Sequence, residues 1–272
     1  MPRSLSIHLG VNDPGGGCGS PSVLAHSEDT AGRMAGLAIR AGYGSVRMLR
    51  GAEATRRAVR EALAEAAETL GAGDVLLVSF SGHGVPVADH AEERRTPDET
   101  WCLHDGGLRD EEMMEHWRAF APGARIVVVS ESCHGGGRAG GGESPRHAPF
   151  SGGREPPPAR DRGASAGETA GSLAAGPPGE ADGIRASVLV LAACNELRPT
   201  RAGVLARHLF AVWDDGAYRG SYRDLYLELR RRMSTDSLKP HILMMGTPDP
   251  DFLLEPAFHR DDQTADPRGV WP

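Results

Sequence analysis

Two rhythms of apolar and polar positions run along this chain. Uninterrupted apolar runs, Val75-Leu76-Leu77-Val78 and Ile126-Val127-Val128-Val129, read as strands covered on both faces, as in a parallel sheet. Between them the spacing lengthens to that of a helix. Over 54–70, Val59, Leu63, Ala66 and Leu70 share one face, and Gly71 ends the run. Taken in order, the pattern predicts a strand at 4–11, a helix at 29–41, a strand at 45–49 and the helix at 54–70. A strand from Val75 to Gly84 follows, then a polar excursion at 90–98 that closes on a short hairpin near 100–103. The acids Asp110, Glu111 and Glu112 open a helix running to Phe120, where they suit its dipole. A strand from Arg125 to Cys133 comes next. Strand and helix alternate, which implies parallel pairing with right-handed crossovers.

The rhythm then breaks. From His134 to Ile184 the chain holds 14 Gly and 7 Pro, with Phe150, Leu173 and Ile184 its only large apolar side chains. Such a stretch buries too little surface to offset its ordering entropy, so disorder is expected over 134–184. Pattern returns with a strand at 186–194, helices at 201–213 and 220–233, and a last strand at 241–245. The same sheet continues after the gap, so residues 1–272 are read as one domain carrying an insert.

Charge and composition narrow the function. A formal net charge of −7 is the wrong sign for nucleic-acid binding. No apolar stretch approaches the roughly 18 to 20 residues of a membrane span. The first residues lack the apolar core of an export signal, and a cytoplasmic location is expected. Cys18, Cys102, Cys133 and Cys194 form no CxxC pair or regular framework, which favours neither zinc nor a disulfide scaffold. Cys18, Cys102 and Cys194 read as small buried hydrophobes.

Candidate chemistry lies where the two central runs end. One closes as Phe80-Ser81-Gly82-His83-Gly84, the other as Glu131-Ser132-Cys133-His134-Gly135. In open α/β sheets the functional crevice lies at the carboxyl ends of the strands. A thiol attacks carbonyls as thiolate, and a histidine is its usual base. His83 and Cys133 therefore form a candidate dyad. The amides of Gly84 and Cys133 are candidate oxyanion donors, since glycine permits close backbone approach.

His83 and Cys133 are 50 residues apart, matching the interval of about 50 in the caspase signature. With the two strand-end blocks, the chain resembles the caspase-like cysteine peptidases, specifically bacterial metacaspase-like members. Pro97-Asp98-Glu99-Thr100-Trp101 and Leu191-Ala192-Ala193-Cys194 extend the likeness. The resemblance implies a three-layer caspase-like fold, with a central, mostly parallel sheet of about six strands and helices on both faces. It implies a cysteine endopeptidase acting on protein or peptide substrates, with an acidic S1 pocket selecting Arg or Lys at P1. Carried over from the blocks, that pocket comprises Ser81 and Glu131, each two residues before a dyad member. Asp29, in His26-Ser27-Glu28-Asp29, is the nearest match to a third acidic position. An acidic floor would grip arginine in bidentate fashion. Calcium-activated relatives place an aspartate seven residues after the nucleophile, where this chain has Gly140. Calcium is therefore not favoured and no cofactor is expected, although Asp105, Asp110 and Glu111 could still collect a cation such as calcium. Arg138, Arg146, Arg154, Arg160 and Arg162 make the insert a candidate for self-cleavage.

Two rival readings stand beside this one. A catalytically silent caspase-like scaffold would be expected to have lost the dyad. A thiol esterase of the α/β-hydrolase type would want glycine where Glu131 stands and a late histidine such as His241. The glycines at 15–17 and 19 lack dinucleotide or phosphate-loop spacing, which excludes a nucleotide site.

Overall fold

A computed structural model describes residues 2–15, 18, 23–87, 98–134, 183–194, 203–236 and 239–260; at 85–87, 98–99, 133–134 and 194 it describes the backbone alone. The disorder expected for 134–184 and the arginines of that insert fall, from 135 to 182, outside these residues.

The strands are β1 (Ser4–Gly10), β2 (Ser45–Arg50), β3 (Val75–Val87), β4 (Asp98–Leu103), β5 (Gly106–Arg109), β6 (Arg125–His134), β7 (Ser187–Cys194) and β8 (Lys239–Gly246). The helices are α1 (Ser27–Arg40), α2 (Arg56–Thr69), α3 (Asp110–Arg118), α4 (Val204–Trp213) and α5 (Tyr222–Arg232). The main sheet has the order β2-β1-β3-β6-β7-β8, parallel throughout except for β8, which runs against β7. The hairpin β4–β5 is added to the carboxyl end of β3, where Gly84 pairs with Trp101. Among the described residues no helix is long and apolar enough to cross a membrane.

Both sheet faces are buried, which is why the central runs show no alternation in sequence. One face packs Ile7, Leu76, Val78, Ile126 and Val128 against Val59 and Leu63 of α2 and Trp117 of α3. The other packs Leu77, Val127, Val129 and Leu189 against Leu37 of α1, Leu209 of α4 and Leu225 of α5. The strand order reverses between β1 and β3, and such a reversal opens a crevice at the carboxyl edge of the sheet.

Candidate active site

The central pair of strands sets the site. β3 and β6 run side by side through ten paired positions, from Val75 against Arg125 to Gly84 against His134. Near the end of this ladder Ser81 pairs with Glu131, and His83 with Cys133. Neighbouring strands lie about 4.8 Å apart, so the paired positions are direct neighbours. Side chains alternate between faces, which puts positions 81, 83 and 131 on the face covered by α1, α4 and α5. His83 is 4% exposed.

Glu131 is 3% exposed and reaches a helix end. α4 is preceded by Gly203, whose φ of 94° is left-handed and whose missing side chain cannot cap the first turn. Glu131 supplies the acceptor instead: its Oε1 accepts from the backbone N–H of Leu205 at 2.8 Å and of Ala206 at 3.4 Å. The positive end of the helix dipole suits a carboxylate there. Burial nevertheless wins and pushes the carboxyl up from 4.5 to about 7, the backbone N–H donors of α4 offsetting part of the rise. Oε2 is buried without a hydrogen-bond partner.

A small cavity of about 10 Å³ lies beside that carboxylate, lined among others by Thr30, Met34, Ser81, Glu131 and Leu205. It has room for about one water. Asp29 is exposed, and from its turn of α1 Thr30 is the residue that faces the cavity. The structure thus brings Ser81 and Glu131 together beside the His83–Cys133 pair and leaves the Asp29 side chain outside. α1 is capped in the same manner as α4. It lacks a capping side chain of its own, and Asn12, just beyond β1, accepts from the N–H of Ser27 at 2.8 Å and of Glu28 at 3.3 Å.

The flanking glycines have packing causes. A Cβ on Gly82 would lie 2.6 Å from Cζ of Phe80, whose ring stacks on Trp101 at 4.6 Å with 8° between planes. A Cβ on Gly84 would lie 2.9 Å from Cβ of Ser132 on the next strand. Gly84 also pairs on both sides, with Trp101 in β4 and His134 in β6.

Sequence reasoning missed a buried pair one layer below. Nδ1 of His8 lies 2.8 Å from Oγ of Ser79, and desolvation holds the imidazole down at about 3, so it is neutral. The polar-apolar alternation of β1 gave no sign that both of its faces would be covered. Asp105 accepts from the backbone N–H of Arg56 at 2.7 Å, Asp110 is buried at the start of α3, and Glu111 is exposed. Among the described residues no three His, Cys, Asp or Glu side chains are grouped to hold a metal ion. His241 pairs with Ala192 on β8, two strands from β6 and level with Ser130, and so it is remote from Cys133. That placement, with Cys133 inside a strand, does not match a nucleophile elbow.

Residues 44–139 match the family model described as "Metacaspase, peptidase C14 domain", a span that includes both His83 and Cys133. Two relatives from Arabidopsis thaliana are similar over 86 residues: Metacaspase-4 at 37% identity and Metacaspase-7 at 33%. The shared stretch covers 30% of this chain and 21% of each relative, so the chain spans about a fifth of their length. The crystal structure of protein GSU0716 from Geobacter sulfurreducens is similar over 95% of this chain and 99% of that one, with a TM-score of 0.72 and 26% identity.

Proposed function

We propose that this chain, which carries a metacaspase peptidase C14 match over residues 44–139, is a caspase-like cysteine endopeptidase cleaving after Arg or Lys through His83 and Cys133. The observation that carries the reading is the pairing of His83 with Cys133 at the carboxyl edge of the two central strands. His83 takes the thiol proton, the Cys133 thiolate attacks the scissile carbonyl, and His83 returns the proton to the leaving amine. Water, deprotonated by the same imidazole, then releases the acyl group. The oxyanion is assigned to the amides of Gly84 and Cys133, whose use requires the last pairs of the ladder to open when substrate binds.

The basic P1 preference is supported by the buried Glu131, whose Oε2 has no hydrogen-bond partner among the described residues and which lines a cavity together with Ser81. That cavity has room for about one water and is too small for a guanidinium. An arginine enters only if the start of α4 and the first turn of α1 draw apart. Catalysis without a metal is part of the reading, motivated by Gly140 at the position where calcium-activated relatives carry aspartate.

Fluorogenic peptides ending in Arg, Lys or Asp test the proposal. Cleavage of the Arg and Lys peptides, abolished in Cys133→Ala, is expected. Preference for Asp would remove the acidic pocket, and full activity in Cys133→Ala would remove the dyad.

A further inference from the structure

Two residues that follow β1, Gly15 and Cys18, lie against the β4–β5 hairpin. Gly15, at φ 61°, approaches so near that a Cβ there would lie 2.9 Å from the backbone oxygen of His104. Cys18 places its Sγ 3.6 Å from the point where Gly107 would carry a Cβ. Gly107 is the register partner of Cys102 across the hairpin. Paired residues of antiparallel strands point to the same face, so this sulfur stands over the Cys102 side chain. The two thiols are within hydrogen-bonding contact, and neither is in a disulfide here. Cys18 is half-buried and Cys102 fully buried.

We infer that Cys18 and Cys102 are a redox pair that closes to a reversible disulfide, tying the Cys18 position to the β4–β5 hairpin. The two positions have unequal roles. Cys18 is the one a solute can reach, and its hydrogen bond with Cys102 together with the Arg56 guanidinium favours its thiolate. The hydrogen bond with Cys18, and then burial, hold the Cys102 thiol protonated until its partner is oxidised. With a peroxide as oxidant, the Cys18 thiolate attacks one peroxide oxygen, the O–O bond breaks, and hydroxide leaves a sulfenic acid. Cys102 then attacks that sulfur, loses its proton, and expels the hydroxyl as water. Two electrons pass from the sulfurs to the peroxide, and the balance is two thiols and one hydrogen peroxide to one disulfide and two waters. Along the chain Cys18 precedes α1, whose Thr30 lines the cavity near Glu131.

The test does not depend on peptidase activity. The full chain is exposed to graded hydrogen peroxide, its free thiols are blocked, and it is digested without reductant for peptide mass mapping. Expected is a linked peptide pair containing Cys18 and Cys102, lighter by two hydrogens than its separate parts and released by reductant. Cys18→Ser should lose it. In Cys102→Ser, a sulfenic acid trapped by dimedone at Cys18 is expected, and this readout needs no folded hairpin partner thiol. Recovery of Cys18 and Cys102 as separately blocked thiols, at peroxide that oxidises Cys133, would overturn the inference. So would linkage of Cys18 to Cys133 or Cys194.

Discussion

Replacing Glu131 by Gln keeps the side chain's shape and the acceptor for the N–H of Leu205, and removes only the charge. In the folded chain this carboxyl titrates at about 7, against 4.5 ordinarily, because burial disfavours the anion. The folded state therefore holds a proton between pH 4.5 and about 7 that the unfolded chain has given up. A state that binds more protons loses ground as pH rises. The stability Glu131 lends is complete below pH 4.5 and is lost across that window, by about 3 kcal/mol in all. Glu131→Gln has no such window. Urea unfolding of both proteins at several pH values between 4.5 and 8 measures the difference, and every other titrating group cancels in the comparison. The variant is expected to gain on the natural protein as pH rises, by up to about 3 kcal/mol at pH 8. Parallel pH curves would refute the buried, charge-penalised carboxylate. The same variant separates two roles of one residue: a loss of kcat/KM for Arg peptides beside a gain in stability is expected if Oε2 receives the P1 side chain.

Other outcomes follow from the same geometry. Gly82→Ala drives a Cβ into the ring of Phe80, which its stack on Trp101 prevents from yielding; a loss of about 1–3 kcal/mol in urea unfolding is expected, partly restored by adding Phe80→Leu. His8 is neutral when folded and gains a proton near 6.5 when unfolded, so stability falls as pH drops from 6.5 toward 3; His8→Gln should lack about 3 kcal/mol of that fall by pH 4.5, read from the same unfolding curves. Chelation with EDTA should leave cleavage of Arg peptides unchanged, and a loss restored by calcium would reverse the metal-free reading. Active enzyme should show cuts after Arg138, Arg146, Arg154, Arg160 or Arg162 by mass spectrometry, absent from Cys133→Ala.

What was legible in the sequence is what local pattern encodes. The runs at Val75–Val78 and Ile126–Val129 are the two central strands, and their ends carry His83 and Cys133 in register. Glu131 was recognisable as an acid closing a buried strand, which must find a partner. Its partner was not, because the α4 amides come 74 residues later, beyond the Gly- and Pro-rich stretch. Gly82 and Gly84 were read for access to substrate. Their neighbours Phe80 and Ser132 show a steric reason that emerges only when rings and strands are stacked. Cys18 and Cys102 read as unrelated, since no short spacing links a loop thiol to a hairpin folded over from 84 residues away.

The ten-step ladder between β3 and β6 has a further consequence. If β6 slipped past β3 by a single residue, position 133 would fall level with 82 or 84 and turn to the opposite side of the sheet. On the proposed function, positions 83 and 133 can act together in one alignment and not in the next. The alignment is enforced along the strands by the apolar pairs at 76–78 and 126–128, remote from any chemistry. Conservative exchanges there should reach the reaction as loss of competent molecules, with each surviving molecule turning over at full speed. Titrating active sites, beside measuring rate, would tell such a misaligned fraction from a weakened catalyst.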